Sequence, residues 1–435
     1  RHVGKFRKIG TESRCVMTDL EKRPMNICLL TYRGNPTCGG QGVYIKHLSK
    51  ALADEGHRVD VISGPPYPHL DENVRLIKMP SLDLYHPDHL FRPEKVRDLL
   101  NPINMYEFFN VCTGSFPEPF TFGERVYSYL KKHKNEYDIV HDNQCLSYGI
   151  GRLARKVMPT IVTIHHPITV DRQEDYKVAK TIRQKFRVYR WYTFIRMQLK
   201  VARQFSHIIT VSEFTKKDIA KEFGLDQNKF RVVHNGINNE FFYPKQNGPR
   251  PENSLIVTNS ADTPLKGLNF LLEAVARVRR ERHLTLTVIG QPKKDGIIEN
   301  LVKELKLGDI VRFTGRIENE EFADYYAKST LAVVPSLYEG FGIPAAEAMA
   351  CGVPLISTSG GALPEVVGDA GLVVPPADAT ALAQAITRLL DSAEERKKLA
   401  QAGLERVNSV FSWAKAAREV ADVYREAIRG YSRFS

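Results

Sequence analysis

The sequence predicts an α/β fold in which two Rossmann-like parallel-sheet domains face a central cleft. Short β-rich runs alternate with helical runs, which is the pattern of βαβ units. The alternation restarts near Leu255, after a turn-rich stretch over 243–251 that contains three prolines. With 435 residues, the chain is long for one hydrophobic core and comfortable for two.

The first half is predicted to contain five strands and one well-marked helix. The helix covers 43–56, where apolar residues recur at helical spacing and Gly56 supplies the stop. A glycine cluster at 39–42 precedes it, and another helix is expected to begin at Ser212 or Glu213. The predicted strands are 27–31, 58–62, 138–141, 160–164 and 207–211.

The second half repeats this alternation, with a predicted helix over 267–280. In folds of this kind, ligands bind at the carboxyl ends of the strands. Side chains that directly follow a strand are therefore the first candidates for a functional site. The predicted strands are 255–258, 284–289, 311–313, 331–334 and 354–357.

Composition narrows the class of protein. The chain is 43% hydrophobic and 26% charged, as in ordinary globular proteins, and no apolar run approaches the roughly 20 residues of a membrane span. Six cysteines stand without a CxxC pair or a Cys/His ligand spacing, so we expect no disulfide framework or metal site and a reducing, cytoplasmic compartment. The net charge of +12 is compatible with nucleic acid, an anionic membrane or an anionic substrate.

The stretch "EGFGIPAAE" places Glu339 and Glu347 around a glycine-rich turn at a strand end. Pro344 suits the first turn of a helix, and the amides of Phe341, Gly342 and Ile343 would then point away from the helix, free to bind an anion or hydroxyl oxygens. Alternatively, the acids are simply solvated and a first-turn glutamate stabilises its own helix. Residues alone leave both interpretations open.

The surrounding motifs resemble the retaining glycosyltransferases of carbohydrate-active family 4, which have the GT-B fold. That family has two glutamates separated by seven residues in a Glu-Gly-Phe-Gly context, found here from Glu339 to Glu347. The resemblance extends from Met25 to about Trp413. It rests on "PSLYEGFGIPAAEAMACGVPLIS", "STSGGALPEVVGDAGLVVPPADATALAQAI", "TVSEFTKKDI", "VVHNGINNEFFYP" and "GGQGVYIKHLSKALADEGHRVDVISG".

The resemblance implies a domain plan. Residues 1–24 are interpreted as a basic tail or an added segment, 25–245 as an acceptor-binding domain, and 252–412 as a domain that binds a nucleotide sugar. Residues 413–435 are expected to form a helix that packs back on the N-terminal domain.

Site roles follow from the same resemblance. Glu347 would bind the ribose of the donor and Glu339 the transferred sugar, while the amides of Phe341, Gly342 and Ile343 would hold sugar hydroxyls. Gly39 and Gly40 would lie against the donor diphosphate, as backbone amides at a helix start can. A dinucleotide-binding fingerprint is the rival for this glycine cluster, but the spacing is not GxGxxG.

Two positions depart from the family pattern. The family has an Arg and a Lys five residues apart that neutralise the leaving diphosphate; Lys266 matches the lysine, but Ala261 stands at the arginine position. Arg172 is the candidate replacement, and a solvated Lys266 is the alternative. Where many relatives have His-x-His, this chain has His141 and Asn143, so no general base is transferred from the family.

Other polar residues follow predicted strands in the first half. His165 and His166 end the strand over 160–164, and at least one is expected to face the cleft, with ordinary loop packing as the alternative. His141 is interpreted as a locally hydrogen-bonded histidine.

The segment 177–203 carries nine basic residues with interleaved aromatics and no acid. It is interpreted as a helical stretch that either packs in the core with a solvated basic face or contacts an anionic membrane surface from the cytoplasmic side. Nucleic acid is not expected as a partner, because no nucleic-acid-binding module is recognisable.

The sequence thus predicts a retaining glycosyltransferase that moves a hexose from a nucleoside-diphosphate sugar, UDP-glucose or GDP-mannose, to a glycan or lipid-linked acceptor. No cofactor and no metal are expected. The alternatives are a nucleotide-sugar epimerase or phosphorylase of the same fold, and a non-catalytic nucleotide-sugar binder.

Overall fold

The computed structural model describes residues 23–35, 40–86, 90–93, 95–245, 248, 250–258 and 263–431. The chain divides into two compact units, each built on one parallel sheet. The first unit takes the residues up to Ile209, Glu222–Arg231 and the chain from Ala417 onward; the second takes Thr210–Lys221 and Val232–Ala416. The predicted tail lies almost wholly outside the described residues.

Seven strands form the sheet of the first unit. They are β1 (Asn26–Thr31), β2 (Arg58–Ser63), β3 (Arg75–Lys78), β4 (Ile139–Asn143), β5 (Thr160–Thr163), β6 (Ile208–Thr210) and β7 (Phe230–Val232). Their order is β3-β2-β1-β4-β5-β6-β7. Leu29 of β1 lies opposite Val61 of β2 on one side and His141 of β4 on the other. Strands β1, β2 and β4 are almost entirely buried, as expected for a sheet covered on both faces.

Helices connect these strands. They are α1 (Gly40–Asp54), α2 (Pro102–Cys112), α3 (Glu118–Lys132), α4 (Tyr148–Lys156), α5 (Ile168–Val178), α6 (Ile182–Trp191), α7 (Ile195–Ala202) and α8 (Glu213–Phe223). Short 3-10 helices cover Val96–Leu100, Tyr192–Phe194 and Gln227–Lys229.

Six strands form the sheet of the second unit. They are β8 (Ser254–Thr258), β9 (Thr285–Ile289), β10 (Val311–Phe313), β11 (Leu331–Val334), β12 (Leu355–Thr358) and β13 (Gly371–Val374). Their order is β10-β9-β8-β11-β12-β13, and all neighbouring strands are parallel.

The helices of this half cover both faces of the second sheet. They are α9 (Leu268–Val278), α10 (Ile297–Glu304), α11 (Phe322–Ala327), α12 (Ile343–Ala350), α13 (Leu363–Val367), α14 (Ala379–Asp391) and α15 (Ala393–Val410), with 3-10 turns at Pro264–Lys266 and Asn319–Glu321; the last helix of the chain, α16 (Trp413–Tyr431), follows them. Because side chains alternate along a strand, Leu255 and Val257 join the cluster that holds α9 and α14. Ile256, between them, faces the cluster that holds α12 and α13.

Both sheets confirm the predicted α/β architecture, and the domain boundaries are refined. Residues 210–221 and 232–245, assigned from the sequence to the N-terminal domain, pack with the second unit. The physical reason is local: Ser212 and Thr215 donate to the carbonyl of Gly340, at 2.8 and 2.6 Å.

The last helix, α16, returns to the first unit from Ala417 onward, as expected. Tyr424 is fully buried there, and its hydroxyl lies 2.7 Å from Nδ1 of His141. This bond joins the last helix to the fourth strand of the first sheet.

The basic segment 177–203 is not one continuous helix. The end of α5, helix α6, a 3-10 turn and α7 divide it. Thr181 caps α6 in a capping box with Gln184. Helix α6 buries none of its residues, whereas α7 buries Ile195 and Val201, so core packing describes α7 and not α6.

Four of the cysteines fall in the described part of the chain, and all four are free thiols. No helix in the described ranges combines the length and the apolar character needed to cross a bilayer.

Candidate functional site

The order of the second sheet creates a switch point between β8 and β11. The connections from these neighbouring strands leave toward opposite sides, and ligands of open α/β sheets bind in the crevice that results. Lys266 ends the 3-10 turn that comes after β8, and Glu339 lies in the loop that follows β11. Both sequence-predicted residues therefore lie at the edge where a ligand is expected.

Lys266 and Glu339 form an ion pair at this edge. The Nζ of Lys266 donates to Oε1 of Glu339 at 2.7 Å, and the hydroxyl of Ser336 donates to the same oxygen at 2.8 Å. The Glu339 side chain is only 11% exposed, so the carboxylate is held in one orientation. Ser336 was not predicted; its position one residue after Pro335, near the strand end, is the only sequence signal for it.

Backbone packing brings these two loops together. Gly267 has φ +64°, and a Cβ there would lie 2.0 Å from the carbonyl oxygen of Pro335. The amide of Leu337 donates to the carbonyl of Leu265 at 2.8 Å. A glycine after Lys266 is therefore required for the close approach that places the lysine against the glutamate.

Glu347 lies one turn into α12, facing the same lysine. Burial raises the pKa of Glu347 to about 8, and the charge of Lys266 opposes this shift. At neutral pH the carboxyl is therefore mostly protonated and can both donate and accept hydrogen bonds. A group with both abilities suits a pair of hydroxyls, as on a ribose.

The turn before α12 has the geometry that the sequence predicts. Gly342 has φ +103°, and Pro344 lies in the first turn. The amides of Phe341, Gly342 and Ile343 donate to no acceptor in the described ranges. Phe341 itself is buried against Phe411, so only its backbone is available to a ligand.

A second loop, over 359–362, packs against the backbone of Glu339, and it was not predicted from the sequence as part of the site. Gly361 has φ +67°, and a Cβ there would come within 2.2 Å of the carbonyl oxygen of Glu339. The amide of Ala362 donates to that same oxygen at 2.9 Å. The Gly-Gly pair at 360–361 was the available signal for this close approach.

In the first unit, Asn143 and His165 form a pair at the carboxyl ends of β4 and β5. Oδ1 of Asn143 lies 2.6 Å from Nε2 of His165, and its Nδ2 donates to the carbonyl of Gln41 at 3.2 Å. Burial and the neighbouring His166 lower the pKa of His165 to about 3, so the ring is neutral and Nε2 is the donor. The pair offers a fixed polar surface beside the start of α1.

His141 is a structural residue, in agreement with its sequence interpretation. Its two ring nitrogens contact the hydroxyls of Tyr424 and Thr163, at 2.7 and 2.6 Å. Burial is the main cause that lowers its pKa to about 3. Both ring nitrogens of this neutral histidine are therefore used in hydrogen bonds within the first unit, and neither is free to bind a substrate.

The remaining candidates of the first unit are more exposed. His166 lies outside the Asn143–His165 pair and contacts Oδ2 of Asp171 at 2.8 Å. Arg172, on α5, has no ion pair or hydrogen bond with another residue in the described part of the chain. Gly40 begins α1, and a Cβ there would meet nothing within 4 Å. Gly39 and Ala261 lie outside the described residues.

The comparisons with known proteins agree across the chain. The family described as "Glycosyltransferase Family 4" matches residues 38–241, and the one described as "Glycosyl transferases group 1" matches residues 239–406. The chain is 43% identical over 408 residues to an MMP alpha-(1->4)-mannosyltransferase of Mycolicibacterium hassiacum, covering 93% of this chain and 98% of that protein. It is 26% identical to a D-inositol 3-phosphate glycosyltransferase of Streptomyces bingchenggensis, covering 95% of this chain and 91% of that protein.

Solved structures show the same fold. The sucrose-phosphate synthase from Thermosynechococcus elongatus is 27% identical, with a TM-score of 0.71 over 93% of this chain and 100% of that chain. Anabaena HepE, solved in complex with UDP and glucose, is 16% identical with a TM-score of 0.66, over 92% of this chain and 98% of that chain. At that identity the likeness concerns the fold alone.

Proposed function

Because this chain belongs to glycosyltransferase family 4, we propose that it transfers a hexose from a nucleoside-diphosphate sugar to a carbohydrate or lipid-linked acceptor, with retention of anomeric configuration. Mannose from GDP-mannose is the first choice, since the relative from Mycolicibacterium hassiacum is named as an α-mannosyltransferase. UDP-glucose is the second donor to test. An α-linked product made from an α-linked donor would keep the configuration of the donor.

The observation that carries the proposal is the Lys266–Glu339 pair at the switch point of the second sheet. A donor diphosphate would attract Lys266, and the sugar hydroxyls would then bind Glu339. Glu347 and the amides at the start of α12 would hold ribose and sugar oxygens. Positioning and charge stabilisation would supply the rate enhancement.

In this mechanism the acceptor oxygen bonds to the anomeric carbon on the face from which the phosphate oxygen departs. The acceptor hydroxyl passes its proton to that departing oxygen, so charge and atoms balance without a separate base. Lys266 stabilises the negative charge on the nucleoside diphosphate. Asn143 and neutral His165 would orient the acceptor, His166 is a second polar candidate, and Gly39 and Gly40 would approach the diphosphate.

The test is a thermal-shift panel of nucleotide sugars followed by a transfer assay with the donors that bind. A ligand that binds only the native state raises the unfolding midpoint. We expect GDP-mannose to raise it and to yield an α-linked product by NMR. A β-linked product would contradict retention, epimerised donor without transfer would indicate an epimerase, and binding without turnover of any donor would indicate a non-catalytic binder.

Two further properties are part of the proposal. Arg172 would replace the family arginine absent at Ala261, so Arg172→Ala should weaken nucleoside-diphosphate binding about tenfold or more. The charge-matched control is Arg187→Ala on α6.

The reaction would need no metal or cofactor, so activity should persist in excess chelator. Loss of activity under those conditions would contradict that expectation.

We also propose that α6 contacts an anionic membrane surface. Ile182, Phe186 and Tyr189 are 88%, 62% and 48% exposed at helical spacing, and basic residues flank them. Apolar side chains beside basic ones match the interface of an anionic bilayer. The alternative for this helix is a solvated basic face.

Co-sedimentation with phosphatidylglycerol vesicles tests this contact. The double variant Ile182→Asp/Phe186→Asp should lose vesicle binding, whereas Ile297→Asp, at an exposed apolar residue of the second unit, should keep it. Equal binding of both variants would contradict the membrane proposal and favour the solvated face.

A further inference from the structure

A cavity of about 590 Å³ lies in the second unit at the edge of the sheet opposite to the candidate donor site. Asn253, Thr330 and Pro354 line it, and each directly precedes a strand: β8, β11 and β12, respectively. Lys266 and Glu339, by contrast, follow the carboxyl ends of β8 and β11. The cavity is therefore separate from the donor site, and its volume is typical of a pocket for a small molecule.

The cavity lining is strongly basic. Four cations and one carboxylate, Glu252, contribute to it. Arg282 is paired with Asp391, so its charge is largely balanced. The other three cations, Arg250, Arg396 and Lys397, form no ion pair in the described part of the chain.

Two of these arginines are held in place by backbone carbonyls. Arg250 donates to the carbonyls of Ser329 and Gly352, at 2.8 and 2.9 Å. Arg396 donates to those of Leu389 and Leu390, at 2.6 and 2.8 Å. Since a guanidinium has five N–H donors, roughly three remain on each. Orienting these groups for a ligand would therefore cost little side-chain entropy.

Arg250 is partly buried, and this burial lowers the pKa of its guanidinium. In such surroundings a bound anion is weakly screened and interacts strongly with a guanidinium. Arginines favour phosphate in particular, because their planar fork matches two phosphate oxygens. A carboxylate offers two acceptor oxygens and a phosphate monoester three, so a phosphate can accept from more of the remaining N–H donors.

We infer that this cavity is a second ligand site, which takes a small phosphorylated anion of sugar-phosphate size. Nothing in the donor chemistry requires it, so we assign it the role of an effector site.

Helix α12 provides a direct physical connection from this site to the donor site. The helix begins at Ile343, beside the free amides, and ends just before Gly352, whose carbonyl Arg250 holds. Helix α15, which carries Arg396, packs along α12: a Cβ at Gly403 would lie 3.1 Å from Cγ of Met349. A shift of Arg250 or α15 on ligand binding would therefore reach the turn that holds Glu347. This coupling, unlike the binding itself, rests on the proposed donor function.

Isothermal titration with glucose 6-phosphate and with pyrophosphate tests the binding. Lys397→Glu should weaken binding of the probe at least tenfold, and it removes no hydrogen bond of the fold. Arg396→Ala should do the same, although it also frees two carbonyls of α14. Lys398→Ala, which removes a neighbouring exposed charge outside the cavity, is the control and should leave binding unchanged.

The variant Lys266→Ala distinguishes binding at the two sites. It should abolish phosphate binding at the donor site and leave binding in the cavity unchanged. Probe affinity unchanged by Lys397→Glu, or lost only in Lys266→Ala, would overturn the inference. For the coupling, the affinity for GDP-mannose should change at least about fivefold with saturating glucose 6-phosphate. An unchanged affinity for the nucleotide sugar would overturn the link through α12, and binding of glucose 6-phosphate is measured independently of any transfer activity.

Discussion

At the residue scale, the candidate site depends on three side chains whose charges are coupled. Lys266 lies between Glu339, with which it forms an ion pair, and Glu347, whose pKa it influences. The two glutamates therefore differ in state: Glu339 accepts two hydrogen bonds, and burial keeps Glu347 mostly protonated. If a diphosphate drew Lys266 away, Glu339 would keep the hydrogen bond from Ser336, and Glu347, being mostly protonated, would need no counterion.

Replacing Glu339 by Gln should lower kcat about 100-fold or more while changing the donor Kd by less than about tenfold, because the charge acts on the reacting sugar. Steady-state kinetics and donor titration measure the two quantities. Glu304→Gln, at an exposed carboxylate, is the matched control. If the donor Kd rises while kcat stays unchanged, Glu339 contributes uniform binding instead.

Glu347 should make stability depend on pH. Its ordinary pKa is 4.5 and the native value is about 8, so between these values the native state keeps a proton that the unfolded chain releases. Its contribution to the free energy of unfolding therefore falls as pH rises through this window. Relative to Glu347→Gln, the wild type should lose about 3–4 kcal/mol between pH 5 and pH 8, because each unit of pKa difference corresponds to about 1.4 kcal/mol. Parallel pH profiles of the unfolding midpoint would contradict this.

At the element scale, the start of α12 is determined by backbone conformation. Gly342 has φ +103°, and a Cβ would lie 2.7 Å from Cδ2 of Leu363. Both the left-handed backbone and the contact with α13 exclude a side chain. The same residue sets the direction in which the amides before α12 point.

Gly342→Ala should therefore destabilise the second unit by about 1–3 kcal/mol and weaken donor binding. The control is Gly308→Ala, because a Cβ there would meet nothing within 4 Å. Urea unfolding of both variants provides the comparison. Equal stability of the two variants would show that the turn can relax.

Much of this element-scale picture could be predicted from the sequence, and the failures have physical causes. Strand β11 and the glycine-rich turn were predictable because an apolar run, glycines and Pro344 act locally. The bond between Lys266 and Glu339 joins loops 73 positions apart, which only the order of strands in the sheet brings together. Residues 177–203 were interpreted from the sequence as one helical stretch because basic residues recur throughout it. The capping box at Thr181, which begins α6, was not recognised as a helix start.

At the scale of the whole molecule, each unit is defined by packing that sequence order does not reveal. The first unit needs the last helix: Tyr424, Val420 and Ala417 are fully buried. The domain boundary predicted near 245 was placed at a proline-rich stretch, whereas the segments 210–221 and 232–245 pack with the second unit. Composition marks turns, but long-range packing decides which unit a segment joins.

Tyr424→Ala should lower the free energy of unfolding of the first unit by about 3–5 kcal/mol, because it leaves a large cavity and removes the hydroxyl that contacts His141. Arg418→Ala, on the exposed face of α16, removes only an exposed pair with Glu55 and should cost less than about 1 kcal/mol. Calorimetry measures both. A loss for Tyr424→Ala as small as that for Arg418→Ala would contradict the role given to α16.

The return of α16 to the first unit also has a consequence for biosynthesis. During translation, domains generally fold as units as they emerge from the ribosome. The second unit is complete once Ala416 has emerged, but the first unit still lacks Ala417 and the buried residues that follow it. The half of the chain that is made first is therefore the half that finishes folding last. While some two hundred further residues are synthesised, the surface of the first unit that later packs against Tyr424 remains uncovered.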